Sequence, residues 1–157
     1  MRLSMQTDYA LRTLIYLADR PGRSKAAEVA EFYQISSHHL AKVAQQLTRL
    51  GYVRGIRGIG GGIELAREPE SICIGEVVKR FEGNLHLLEC VGVEVDDAGA
   101  NDVCVIHGGC RLRGVLAHAE HLVVEYLNSV SLRDVLGQGG SVLELPTADD
   151  SPAKSDS

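Results

Sequence analysis

Between Ser4 and Ala66 the chain runs through three helical patterns, each preceded by a serine, and then into two short apolar runs separated by Gly58-Ile59-Gly60-Gly61-Gly62. Ser4 caps a first helix whose apolar positions Leu11, Leu14, Ile15 and Ala18 recur at three- and four-residue steps and stop before Pro21-Gly22. Ser24 is expected to cap a short second helix over Lys25 to Tyr33. Ser36 or Ser37 caps a third, with Leu40, Val43, Leu47 and Leu50 on one face and Gly51 just past its end, where a left-handed residue is favoured. Tyr52 to Arg57 and Ile63 to Ala66 then alternate as a β-hairpin around the glycine-rich tip. Three short helices followed by a hairpin make a winged helix-turn-helix.

The rest of the chain predicts fewer strands and more helix. Ile72 to Ile74 forms a small strand, Gly75 to Glu82 a fourth helix, and residues 84–110 read as a loop holding Cys90, Cys104 and Cys110. From Arg111 the positions Leu112, Leu116, Ala119, Val123 and Tyr126 step by four and three, the seam of a long helix that packs along another. One such helix beside so small a domain points to a symmetric dimer, the plainer alternative being that it folds back on its own domain. Ser131 with Asp134 opens a last short helix, and beyond Gly137 the composition is that of a disordered tail. The expected fold is thus mostly α with a small β wing. It divides into a DNA-binding unit over 1–83, a loop over 84–110, a dimerisation helix with a short C-terminal helix over 111–136, and a tail over 137–157.

Charge is what turns this fold towards a polyanion. Residues 1–67 carry 10 Lys/Arg against 5 Asp/Glu and the remainder 6 against 16, so the halves stand at +5 and −10 and the whole at −5. A recognition helix needs hydrogen-bonding side chains near its N-terminus, and cations elsewhere for the backbone phosphates. Ser36, Ser37, His38 and His39 lie at the start of the third helix, Lys42 one turn on, and Arg54 and Arg57 on the wing. The tip glycines fit close approach to DNA better than a nucleotide site: the G-x-G-x-x-G spacing is missing and no Gly-Lys-Ser/Thr follows.

No stretch approaches a membrane span and the N-terminus lacks a signal-peptide layout, so a cytoplasmic protein without membrane contact is expected. In that compartment four cysteines are poor disulfide candidates. Cys90, Cys104 and Cys110 form C-x13-C-x5-C on a loop, a set of soft donors suited to zinc, copper(I) or an iron-sulfur cluster. Structural zinc sites use tight C-x2-4-C pairs, absent here, although Cys104 and His107 leave a three-Cys, one-His set open, as they do thiol oxidation without a cofactor. Cys73, between Ile72 and Ile74, reads as a small core residue. No G-x-S-x-G, H-E-x-x-H or placed carboxylate pair marks an enzyme.

Taken together, MRLSMQTDYALRTLIYLA, the IRGIGGGIELA wing, SICIGEVVKRFEG, the LLEC and CVIHGGCRL segments and SLRDVL resemble the NsrR, IscR and RirA group of bacterial iron-sulfur transcription regulators, over about Met1 to Leu136. Within the group, TDYALRTLIYLA and C-x-I-x-x-x-C-R-L look most like the nitric-oxide-sensing repressors. The resemblance implies a homodimer on a palindromic operator, with nitric oxide as signal, or iron or redox state as in the sister branches. It also implies a 4Fe-4S cluster, or a 2Fe-2S cluster, held by Cys90, Cys104 and Cys110. Asp8 matches the position whose carboxylate, supplied across the dimer, is the fourth ligand; on residue type alone it is an acid placed favourably at a helix N-terminus. Arg113 stands where the IscR branch has a ligating histidine, and the interval from Cys90 to Cys104 is longer than the group's usual one, filled by the acidic stretch Glu94 to Asp102.

Overall fold

A computed structural model describes residues 2–83, 85–91 and 109–136 of the chain. Helix α1, Met5–Asp19, opens as the sequence predicts: Ser4 is its N-cap and accepts from the Thr7 amide at 3.3 Å. Its inner face, with Ala10, Leu14 and Leu17, is buried. Helix α2, Ala26–Phe32, is capped differently from the expectation. Lys25 holds the N-cap position and its amide donates to the Glu28 carboxylate at 2.9 Å. Ser24 does not serve because its extended backbone is already paired with Ile63, donating at 3.0 Å and accepting at 2.8 Å. The hairpin therefore gains a third, single-residue edge that ties it to the front of α2.

The turn into α3, Ser37–Arg49, places Gln34 at φ 54 and lets the Ile35 amide return to Ala30 at 2.8 Å. Leu40, Val43 and Leu47 turn inward. Gly51 follows the helix at φ 75, a conformation that costs a residue with a side chain more than it costs glycine, and the Tyr52 amide closes the end on the Leu47 carbonyl. Strands β1, Val53–Ile56, and β2, Gly62–Leu65, pair antiparallel with Val53 opposite Leu65 and Arg54 opposite Glu64. That register buries Val53 and turns Arg54 outward.

The expected strand at Ile72–Ile74 shrinks to one bridge, Cys73 with Ser131, because Ile74 already begins α4, Ile74–Glu82. The bridge brings in α6, Leu132–Leu136, whose Leu132 fills the base of the core; Ser131 and Asp134 form the expected cap. Helix α1 is the central element, packed on α3, α4 and α6.

Helix α5, Arg111–Asn128, lies against α4. The close approach is possible because residue 75 is glycine: a Cβ there would stand 2.8 Å from the Asn128 amide nitrogen. No α5 residue is fully buried. The exposed large apolar side chains are Leu112 at 58%, Val115 at 64%, Leu122 at 51% and Tyr126 at 70%. They step by three, seven and four; of the expected seam positions Leu112 and Tyr126 are exposed, whereas Leu116, Ala119 and Val123 are partly buried. The side of α5 turned to α4 is set by Leu127, which packs against the core, and by Asn128, which meets Gly75. Among the described residues no helix is long and apolar enough to cross a membrane.

Candidate nucleic-acid interface and cysteine site

The two positions the sequence assigns to DNA reading sit on different elements. At the start of α3, Ser36, Ser37, His38, His39 and Lys42 are all exposed. Ser36 holds the N-cap position, but its hydroxyl makes no capping bond, so it stays available at the helix mouth along with the unpaired first-turn amides. The His38 and His39 rings are both exposed, with centroids 6.0 Å apart and planes tilted by 55°. Further along, His39, Lys42, Gln46 and Arg49 line a groove with Met5 and Tyr9 of α1, so the two helices share one surface.

The wing is less free than its sequence implies. Arg54 is bound to Glu64 at 2.6 Å, and Glu64, whose side chain is only 16% exposed, also meets Arg23 at 3.4 Å. The register explains this row: Arg54 faces Glu64 across the hairpin, while the Ser24–Ile63 bridge sets Arg23 opposite Glu64 on the other side. Arg57, three residues nearer the tip and just past the end of β1, is exposed and forms no ion pair among the described residues. Sequence reading finds the arginines and misses Glu64, because the pairing depends on register rather than on local pattern.

Asp8 lies in the first turn of α1, half-buried, with both carboxylate oxygens accepting from Arg12 Nε at 2.9 and 3.0 Å. The turn that carries it is anchored from outside. Glu82, at the end of α4, accepts from the Ser4 amide at 2.6 Å and from the Thr7 hydroxyl. Burial on its own would raise the Glu82 pKa, but the hydrogen bonds from Thr7 and Ser4 outweigh it and hold the carboxyl below its ordinary 4.5. A depressed carboxyl stabilises the fold above its unfolded-state pKa, and that stabilisation is lost as pH falls through the folded value. Glu82→Gln is accordingly expected to cost roughly 1–2 kcal/mol at neutral pH, from charged hydrogen bonds in a partly solvated place. Thermal melts should show the gap from the parent closing as pH is lowered below 4.5. A gap constant across that range would show that the charge at Glu82 contributes nothing.

Two of the three loop cysteines fall within the described residues; Cys104 lies outside them. Cys90 sits in a single 3-10 turn, Glu89–Val91, and Cys110 is the N-cap of α5. Both are partly buried and neither is in a disulfide. The 3-10 turn packs on α5, and Arg113 Nε donates to the Cys90 carbonyl at 2.9 Å, so both cysteines belong to the same end of that helix. Among the described residues no group of three His, Cys, Asp or Glu gathers as a metal site. Asp8 is thus not joined to the cysteines within that set. Cys73, expected in the core, is the N-cap of α4 and only partly buried, with its Sγ 3.4 Å from the Asn128 carbonyl oxygen.

Comparison with known proteins agrees with this architecture. The Rrf2 family, described as an iron-dependent transcriptional regulator, matches residues 3–138. The HTH-type transcriptional regulator NsrR of Shouchella clausii is 43% identical over 138 residues, 87% of this chain and 89% of that one. The protein of the same name from Bacillus subtilis is 44% identical over 147 residues, 92% and 97% of the two chains. Among solved structures, CymR, the global cysteine regulator of B. subtilis, superposes with a TM-score of 0.69 at 25% identity, covering 89% of this chain and 99% of that one. These relatives are named as regulators of transcription and not as enzymes. With a family match from one end of the described fold to the other, the chain belongs to the Rrf2 family of transcriptional regulators.

Proposed function

We propose that this protein is a DNA-binding repressor, active as a homodimer on a palindromic operator, whose affinity is set by an iron-sulfur cluster sensitive to nitric oxide. The observation that carries the DNA-binding part is the front of α3. Ser36, Ser37, His38, His39 and Lys42 form an exposed, hydrogen-bonding helix start on a domain with a net positive sequence. The identity to NsrR relatives across most of the chain supports the regulatory part.

The donor set fits the cofactor. Cys90 and Cys110 are free thiols, partly buried and joined to one helix end; with Cys104 they would supply three soft ligands and the partner subunit's Asp8 a fourth, a set suited to a 4Fe-4S cluster, with a 2Fe-2S cluster as the alternative. A bound cluster supplies iron that nitric oxide coordinates in competition with the protein ligands. The chain's own part is mechanical. Asp8 rides on the first turn of α1, and α1 packs on α3 and shares a groove with its exposed face. Holding Asp8 across the dimer fixes α1, hence α3, at the separation that two half-sites one or more helical turns apart require. Releasing it lets the DNA-competent arrangement become one of several, and affinity falls by the difference in free energy between those states.

The family's description as iron-dependent favours a second reading of the signal, in which loss of iron itself empties the site. One experiment separates them. Protein purified without oxygen is titrated with nitric oxide in one arm and with an iron chelator in the other, following absorbance and operator binding together. Nitric oxide releasing DNA while iron stays bound supports the first reading; release only on chelation supports the second. Colourless, iron-free protein that still recognises the operator would dismiss both.

The wing carries a smaller prediction. Arg57→Ala is expected to weaken binding to all duplexes alike and to reduce the slope of log affinity against log salt by about 1, the loss of one phosphate contact. An unchanged slope would place the wing away from DNA.

A further inference from the structure

We infer that Arg113 is a positioning residue for the cysteine site: reaching back from the first turn of α5, its guanidinium holds the Cys90 main chain against the helix end that carries Cys110, and so sets how those two thiolates converge. The cluster-related part rests on the function proposed above; the geometry does not. Arg113 lies three residues, about one turn, after Cys110, and its Nε donates to the Cys90 carbonyl at 2.9 Å across 23 residues of sequence.

Among the described residues, the segment bearing Cys90 packs on the core through Leu85 and has one regular feature, the 3-10 turn Glu89–Val91, closed by the Val91 amide on the Leu88 carbonyl at 3.0 Å. Two side chains of α5, those of Glu120 and Arg113, bond to it. Glu120, in the middle of the helix, accepts from the Leu87 amide and lies 3.3 Å from His86 Nδ1, and so fixes the far end of the segment. Arg113 fixes the near end, at the cysteine itself. A carbonyl held by a guanidinium leaves the adjoining side chain one narrow set of directions, which is what a soft ligand in a multi-thiolate site needs from its surroundings.

The residue type matters. Cys110 makes no side-chain capping bond at the N-terminus of α5, and Arg113 follows it by about one turn on the same helix. Lysine keeps the charge but replaces a planar fork by a single ammonium on a flexible stem, and cannot reproduce the Nε contact.

The test uses the full chain with Arg113→Met, Arg113→Lys and, as a control on the same segment, Glu120→Gln. In cluster-free protein, hydrogen exchange of the amides at 88–91 is expected to speed up about tenfold in Arg113→Met, while exchange in α4 and the melting temperature stay as in the parent. In protein reconstituted with iron and sulfide, first-order loss of cluster absorbance to an iron chelator should be about tenfold faster in Arg113→Met, partly restored in Arg113→Lys, and little changed in Glu120→Gln. Parent-like exchange at 88–91 in both Arg113 variants, or fast exchange with parent-like chelator loss, overturns the assignment; equal acceleration by Glu120→Gln also does, since general loosening would then suffice. Should Arg113→Met fail to fold, the Arg113→Lys comparison decides. A parent that takes up no cluster, with exchange at 88–91 still dependent on Arg113, sinks the cluster reading and leaves the Cys90 clamp standing.

Discussion

Cys110→Ser, purified without oxygen and reconstituted with iron and sulfide, is expected to stay nearly colourless and to bind operator roughly a hundredfold more weakly than the parent, the upper range of coupling between two sites in one protein. The choice of serine makes the result interpretable. Cys110 is the N-cap of α5, and serine is among the best N-cap residues whereas cysteine here makes no capping bond. The variant should therefore melt at or slightly above the temperature of the cluster-free parent, so that lost DNA binding cannot be put down to lost fold. Cys73→Ser is the matching control: Cys73 caps α4 and faces the end of α5, and its removal should leave iron content and operator affinity unchanged. Full iron occupancy in Cys110→Ser would remove Cys110 from the ligand set, and tight operator binding without iron would break the proposed link between cluster and DNA affinity.

The features legible in the sequence are those written in neighbouring residues. Helix period, Ser4 and Gly51 as helix ends and the Ser131–Asp134 cap depend on spacings of four or less, the hairpin on pairs no more than 12 apart around a glycine-rich tip, and all appear where expected. The misreadings share one cause. Ser24 looks like a cap because nothing nearby reveals that Ile63 claims its backbone; the bridge spans 39 positions. The middle of the α5 seam slips because the roll of that helix is decided by Gly75 and Asn128, which touch from different elements. Glu64 and Glu82 escape notice, and Arg113 is noticed without its bond to Cys90, for the same reason: each acts through a partner brought near by the fold. Conversely, Asp8 as a ligand is suggested only by family resemblance, and its bond with Arg12 is the ordinary helix pair its position predicts.

Leu122→Arg is expected to convert a dimer into a monomer at micromolar concentration, measured by sedimentation, and to lower operator affinity at least a hundredfold. Leu112, Val115, Leu122 and Tyr126 present a stripe more than half exposed along the side of α5 away from α4. Burying such side chains contributes about 1.5–3 kcal/mol each relative to leaving them in water, so a helix that offers four of them and buries none fully is short of a partner. A second copy meets the need by symmetry, since the 3-4 spacing lets the stripe pack on itself. A charge at Leu122, in the line of that contact, faces its own copy across the symmetry axis and must be desolvated on both sides. The DNA effect is larger than the contact energy implies. If each monomer reads one half-site, as proposed, separating two linked sites forfeits the 10²–10⁴-fold gain that joining them provides. His118→Arg, on the same helix but outside the stripe, should change neither quantity. A parent protein that is monomeric at these concentrations yet binds the full operator tightly would show that α5 does not join two copies, and the exposed stripe would then need a different occupant.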